Sequence, residues 1–279
     1  MRIRIITESA SDLPNNYRGY VTVIPMNVTF GNEVYQDGVT ITQEQFYEKL
    51  IESEEFPTTS LVAPGEYLTC FNNASEEGYD VLTICISSKL SGCYQSAVLA
   101  ASDADKKVWV IDSKTVTLGQ QILIDRAIDL IEQGKTIEEI VDEIESLKGR
   151  VRLIALLDTL EYLKKGGRIS STAAFVAGVL SIKPVICIEE GEVQVLGKAR
   201  GSKNGNNFLI KEIEKTGVDF SMPVHLGYTG LSDKLLRKYI KDSEAIWKDN
   251  IDNLPICCVG ATIGTHIGPN AVAVSFIQK

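Results

Sequence analysis

Histidine is nearly absent from this sequence, which carries only His225 and His266. Its six cysteines, Cys70, Cys85, Cys93, Cys187, Cys257 and Cys258, include no pair at C-x-x-C spacing, so neither a zinc site nor a dithiol redox centre is written into the chain. No metal or cofactor is expected, and the cysteines read as small buried hydrophobes, with Cys93 alone lying inside a polar cluster. Positive charge is outnumbered, 28 Lys and Arg against 37 Asp and Glu, so a nucleic-acid backbone would meet mainly repulsion and is not an expected partner. No apolar run reaches transmembrane length, and the opening MRIRIITESASDL, broken by Arg4 and Glu8, is too short and too charged for a signal peptide. A cytoplasmic protein is therefore expected. The glycine-rich phosphate loop, the dinucleotide fingerprint, the H-E-x-x-H zinc motif and the G-x-S-x-G nucleophile elbow are also missing.

What is present is strand and helix in alternation. Short β-branched runs at 2–7, 21–30, 80–86 and 107–112 read as strands. Between them, Thr42 and Gln45 form a capping box for a helix over about 43–54, and Pro64 opens another that stops near Gly78. Helices over 118–134 and on the Ile137, Ile140, Val141, Ile144, Leu147 face follow. This pattern predicts an α/β fold whose N-terminal part, residues 1–149, is a mainly parallel sheet flanked by helices. Residues 150–279 are patterned as a second, mixed α/β domain, with strands at 151–157, 184–188, 192–197, 222–228, 255–260 and 271–277 and helices near 159–165, 172–181, 204–216 and 232–248. Gly191 marks a hairpin turn between the strands at 184–188 and 192–197.

Four strand-to-helix loops are rich in hydroxyls: TESASDLP at the start, FPTTSLVAPGEY around Thr59 and Ser60, SSKLSGCYQSA from Ser87 and Ser88 onward, and VIDSKTVTLG. A parallel sheet brings such loops to one edge, where free first-turn amides and hydroxyls suit a carboxylate or phosphate. Plain N-capping by serine and threonine explains part of the same pattern. Arg168, after the double glycine of KKGGRISS, and Lys198 and Arg200, in VQVLGKARGS, are local basic spots in an acidic chain. Each fits a phosphate, a partner's carboxylate or simply a solvated surface. His225 sits in an alternating strand and reads as structural, whereas His266 falls in IGTHIGPNA, read as a glycine- and proline-punctuated loop.

The segments ESASDL, PTTS, SSKLSGCYQSA, VIDSKTVTLG, LEYLKKGGRIS, SIKPV, GKARG and IGTHIGP together resemble the DegV family of bacterial fatty-acid-binding proteins, across nearly the whole chain and in the family's order. The resemblance implies a two-domain α/β fold holding one long-chain fatty acid in a tunnel between the domains. It also implies that the protein is not itself an enzyme but the acyl-binding subunit of a fatty acid kinase, a separate protein that makes an acyl phosphate for phospholipid synthesis, with transient membrane contact for lipid exchange. Carried over by position, Thr59, Ser60, Ser87, Ser88 and His266 match the carboxylate-binding residues, and Arg168 and Arg200 match positions facing the kinase partner. Leu61 stands where the family commonly has glutamine, Asn270 where it has glycine and Glu8 where it has aspartate. The helix over 172–182 is apolar nearly all round, suiting a tunnel wall or an ordinary core. Two alternatives stay open from the residues: a serine or cysteine hydrolase or phosphotransferase using Ser88 or Cys93 with His266, and a binder of another amphiphile.

Overall fold

The computed structural model describes residues 2–169 and 182–279. The helix expected over 172–181 lies outside the described residues, as do Ser170 and Ser171. Strands β1 (Ile3–Glu8) and β2 (Val21–Ile24) are followed by β3 (Asn27–Phe30), β4 (Glu33–Gln36), helix α1 (Gln43–Glu52), β5 (Thr58–Ser60) and α2 (Pro64–Glu76). Next come β6 (Asp80–Cys85), α3 (Cys93–Asp103), β7 (Val108–Asp112), α4 (Leu118–Glu132) and α5 (Ile137–Leu147). The later chain forms β8 (Val151–Leu156), α6 (Glu161–Lys165), β9 (Ile182–Glu189), β10 (Glu192–Arg200) and α7 (Gly201–Thr216). It ends with β11 (His225–Tyr228), α8 (Lys234–Asp242), α9 (Glu244–Trp247), β12 (Ile256–Cys258), α10 (Ala261–Ile267) and β13 (Val272–Ile277).

The strands sort into three sheets. A four-stranded sheet runs β2-β1-β6-β7 with every pairing parallel. Period-two alternation sends Ile3, Ile5, Leu82 and Ile84 toward α4 and α5, and Ile6, Val81 and Cys85 toward α2 and α3, so both faces are covered, as a parallel sheet requires. A six-stranded mixed sheet runs β10-β9-β8-β13-β11-β12, with only β11 and β12 parallel. One of its faces packs Ile154, Leu156, Val274 and Phe276 against α7 and α8, while Leu153, Ala155, Ile186 and Ala273 turn toward the α2 and α3 side of the first sheet. A small antiparallel sheet, β4-β3-β5, rests on α1 and α10.

Several elements depart from their sequence expectation, each for a local reason. The run at 21–30 splits at Pro25, which has no N–H for a ladder, into β2 of the parallel sheet and β3 of the small one. The segment after Pro57, read as extended loop, supplies strand β5 by pairing Thr59 with Val28. The stretch 232–248 is two helices that meet at Ser243. The β9–β10 hairpin is as expected, with Glu190 at φ 48° and Gly191 at φ 86° in its turn. The largest correction concerns His266. Its segment is not a loop but helix α10, in which Gly264 is the one interior glycine while Gly260 and Gly268 cap the two ends, Gly268 at φ 72°. A Cβ on Gly264 would come within 2.6 Å of Tyr47 Oη, and one on Gly268 would overlap the Tyr162 ring. Gly264 and Gly268 allow close packing against α1 and α6, and Gly268 also supplies the positive-φ backbone that ends the helix.

Helix α10 is held at its start by two carboxylates from the N-terminal half. Gly260 N donates to Asp12 Oδ1 at 2.7 Å, and Ala261 N and Thr262 N donate to the two oxygens of Asp37 at 3.0 and 2.9 Å. Tyr47 Oη donates to Val259 O at 2.8 Å beside them. His225, as expected, is structural: it is buried and its Nε2 lies 2.7 Å from Asp125 Oδ2.

Two other acids shape the pH response of the fold. Burial pushes the Glu8 carboxyl up to about 7, although it accepts from Ile86 N and Tyr67 Oη. Burial, with the nearby Asp37 charge adding to it, pushes Asp12 up to about 8. In the unfolded chain both ionise near pH ~4. Between that value and 7 to 8 the folded state holds more protons, so these two groups make stability fall as pH rises through the window. Urea midpoints measured from pH 4.5 to 8 should therefore show a shallower decline in Glu8→Gln and in Asp12→Asn than in the wild type; unchanged slopes would contradict the assignment.

Candidate functional site

A cavity of about 390 Å³ lies where the carboxyl edge of the parallel sheet faces the six-stranded sheet. This is where the first half of the chain places Met26, Ile86 and Val116, just beyond β2, β6 and β7, and it is the edge at which open α/β sheets take ligands. The opposite wall is Leu153, Ala155, Ile186, Ile188, Val193 and Ala273, and α10 closes a side with Thr262, Ile263, His266 and Ile267. The lining is predominantly apolar. Among the described residues that line it there is no Asp or Glu, and Arg168 is the one permanently charged group.

The polar groups form one contiguous patch. Thr59 Oγ1 on β5 lies 2.8 Å from His266 Nε2 on α10. Arg168 follows α6 and its double glycine, and its Nε donates to Leu90 O at 3.1 Å while an Nη donates to Gly166 O at 2.5 Å. Ser60, Ser91 and Gly92 complete the patch, with Leu61 packed over Gly92 so closely that a Cβ there would lie 2.7 Å from it. Gly166 backs the imidazole, since a Cβ at that position would overlap His266 Nδ1.

Protonation follows from these partners. Burial, with the Arg168 guanidinium adding to it, lowers His266 to about 4, so the ring is neutral at physiological pH. His266 Nδ1 is buried and has no hydrogen-bond partner among the described residues. A buried donor without an acceptor costs more than an unused acceptor, which assigns the single proton to Nε2, donated to Thr59 Oγ1. The Thr59 hydroxyl, accepting from His266, then keeps its own hydrogen to donate. A hydroxyl polarised by a neutral imidazole, beside one guanidinium, at the end of an apolar chamber, suits one anionic oxygen pair attached to a long apolar body.

The structure brings together Thr59, Ser60, His266 and Arg168, all on the cavity wall. Ser87 and Ser88 do not line it. Ser87 Oγ donates to Gly191 O at 2.7 Å, and Ser88 donates from Oγ to Asp112 Oδ2 at 2.5 Å and from N to Asp112 Oδ1 at 3.1 Å. Their hydroxyls tie the β6–α3 loop to the β9–β10 turn and to β7. Arg168, expected at a partner-facing position, is half-buried in the lining, whereas Arg200 is exposed at the end of β10 and outside it. Of the other loop hydroxyls, Thr7 Oγ1 donates to Ile84 O at 2.9 Å and Ser113 Oγ to Thr115 O at 3.1 Å, whereas Thr117 Oγ1 donates to Asp12 Oδ2. Sequence reasoning missed Ser91 and Thr262 as lining residues and the anchors Asp12 and Asp37. Ser91 was within its reach, since it falls in the quoted hydroxyl cluster, but the partners of Asp12 and Asp37 are more than two hundred positions away.

Comparison with known proteins places this geometry. The model of the DegV family, described as an uncharacterised protein family, matches residues 2–279. A DegV domain-containing protein of Caldanaerobacter subterraneus subsp. tengcongensis is 36% identical over 284 residues, covering 100% of this chain and 99% of the relative. Among solved structures, a DegV family protein from Thermus thermophilus, described for its fatty acid binding, superposes with a TM-score of 0.89 at 32% identity over 100% of both chains. A fatty acid (stearic acid)-binding protein from Eubacterium ventriosum also reaches a TM-score of 0.89, at 29% identity over 99% of this chain and 98% of its own.

The protonation assignment is directly measurable. Ring nitrogen shifts of His266 should report a neutral imidazole with its proton on Nε2 at pH 6, and Arg168→Gln should raise its midpoint from about 4. A ring that titrates near the ordinary histidine value, in both proteins alike, would contradict it.

Proposed function

The chain belongs to the DegV family, and from that premise we propose that it binds one long-chain fatty acid with the tail in the apolar cavity and the carboxylate at Thr59, Ser60 and His266. The observation that carries this reading is the distribution of charge and polarity along the cavity: walls that are apolar and without acids among the described residues, and a polar part holding a guanidinium, a neutral imidazole and hydroxyls. Burying a sixteen-carbon tail at ~0.8 kcal/mol per methylene supplies on the order of 10 kcal/mol before ordering costs. Affinity then comes from the tail, and the polar patch selects the acid. Ser87 and Ser88 support the head-group loop from behind, through Gly191 and Asp112.

The bound carboxylate would be presented to a separate fatty acid kinase, so that the acyl phosphate for phospholipid synthesis is made by that partner and not by this chain. Arg168 stands where the carboxylate and an incoming partner meet, and exposed Arg200 would contribute to docking. Residues 1–149 supply the sheet-edge loops and residues 150–279 the opposite wall, a division into two cooperating domains. A cytoplasmic, bacterial protein that touches the membrane transiently to exchange lipid fits this role. Among the described residues, no helix is long and apolar enough to cross a membrane.

The hydrolase alternative finds less support. Ser88 is bonded to Asp112 rather than to an imidazole, and burial pushes the Cys93 thiol up to about 11, where it is a poor nucleophile. His266 is bonded to Thr59, and its Nδ1 has no carboxylate among the described residues to orient it.

The test compares palmitate with its methyl ester. Thr59→Val removes one hydroxyl donor and should weaken palmitate binding by about tenfold, the worth of a single hydrogen bond of ~1.4 kcal/mol, while leaving the ester unchanged. Equal losses for both ligands, or none for either, would remove Thr59 from the head-group site.

A further inference from the structure

We propose that Asp37 is a positioning residue for this site: by accepting the first two amides of α10 it sets the rotation of that helix, and so fixes where His266 Nε2 meets Thr59 Oγ1. The proposal rests on the head-group reading above for its effect on ligands, but not for its effect on the imidazole. Asp37 does not line the cavity, so it acts only through the helix.

The contacts form a closed circuit. Asp37 directly follows β4, and its N donates to Met26 O at 2.9 Å, immediately before β3, so its backbone is tied to the end of the β3–β4 pairing. The same β3 pairs Val28 with Thr59. Both partners in the Thr59–His266 contact are therefore referenced to one strand: Thr59 directly through the ladder, and His266 through Asp37 and the helix start. Thr262, whose N–H reaches Asp37 Oδ2 at 2.9 Å, precedes His266 by about one turn, a rise of roughly 6 Å.

A helix of seven residues has no intrinsic stability to hold its own orientation. Besides Asp37 and the Thr59 contact itself, side chains that hold α10 and its approach include Asp12 on Gly260 N, Tyr47 on Val259 O, Gln43 Nε2 on Cys258 O at 2.7 Å, and Ser9 Oγ at 3.3 Å from Thr262 Oγ1. Asp12 and Tyr47 hold residues before the first turn. Asp37 alone among them accepts from two amides of the helix itself, which fixes rotation as well as position. Gly260 makes the double approach feasible, since a Cβ there would lie 2.8 Å from Asp12 Oδ1 and 3.1 Å from Asp37 Oδ1.

The variant Asp37→Asn keeps one acceptor oxygen and turns an N–H group toward the other amide. In ligand-free protein, ring nitrogen spectra should change from a single Nε2-protonated tautomer of His266 to an averaged or shifted signal. The preference for palmitate over methyl palmitate should fall by about fivefold to tenfold, with ester affinity held within about twofold, because only one hydrogen-bonded group is displaced. His266 signals identical to those of the wild type would overturn the proposal. If the wild type itself does not prefer the acid, the fatty-acid reading fails, and the ring spectra still decide the role of Asp37. Should Asp37→Asn not fold, Asp37→Ser, too short to reach both amides, is read by the same spectra.

Discussion

Two side chains from the first forty residues, Asp12 and Asp37, accept the amides that open a helix more than two hundred residues later, and the rest of the site depends on that junction. Helix α10 carries His266, contributes Thr262, Ile263 and Ile267 to the cavity wall, and lies between the small antiparallel sheet and the α6 segment that leads to Arg168. Buried acids are costly unless donors meet them. Here the oxygens of both side chains accept backbone amides that a helix start leaves unpaired, which satisfies the amides even though burial pushes Asp12 up to about 8.

The cavity follows from how the two large sheets meet. Alternation gives every strand two faces, and the face of the six-stranded sheet bearing Leu153, Ala155, Ile186 and Ala273 is turned toward the carboxyl edge of the parallel sheet. Small side chains at Ala155 and Ala273 leave space where larger ones would have closed the core. At the polar end, burial keeps His266 neutral, so the imidazole donates one hydrogen bond without bringing a second full charge beside Arg168. A carboxylate bound there, as proposed, would meet the Thr59 hydroxyl beside one guanidinium.

Legibility from sequence varied with the range of the interaction. The parallel and mixed sheets, the capping box at Thr42 and Gln45 and the hairpin turn at Gly191 are local patterns and were readable from spacing alone. Three of the four hydroxyl-rich loops follow strands of the parallel sheet, and the fourth belongs to β5 of the small antiparallel one; Ser87, Ser88 and Ser113 bond to nearby chain rather than line the cavity, so hydroxyl abundance overstated the polar lining. Thr59 and His266 are 207 positions apart; no local pattern links them, and only the family resemblance put them side by side. Helix α10 was misread because glycines at every fourth residue look like loop punctuation until the aromatic rings that need the space, Tyr47 and Tyr162, are seen against them. Arg168 shows another case, a basic residue expected at a partner-facing position whose place in the lining depends on packing.

The central claim is that this cavity holds one long-chain fatty acid. The most direct measurement is denaturing extraction of protein purified from a bacterial host, with the organic extract identified and quantified per chain by mass spectrometry. The account predicts close to one fatty acid per chain. An extract without fatty acid, from protein that also takes up none when it is added, would contradict it.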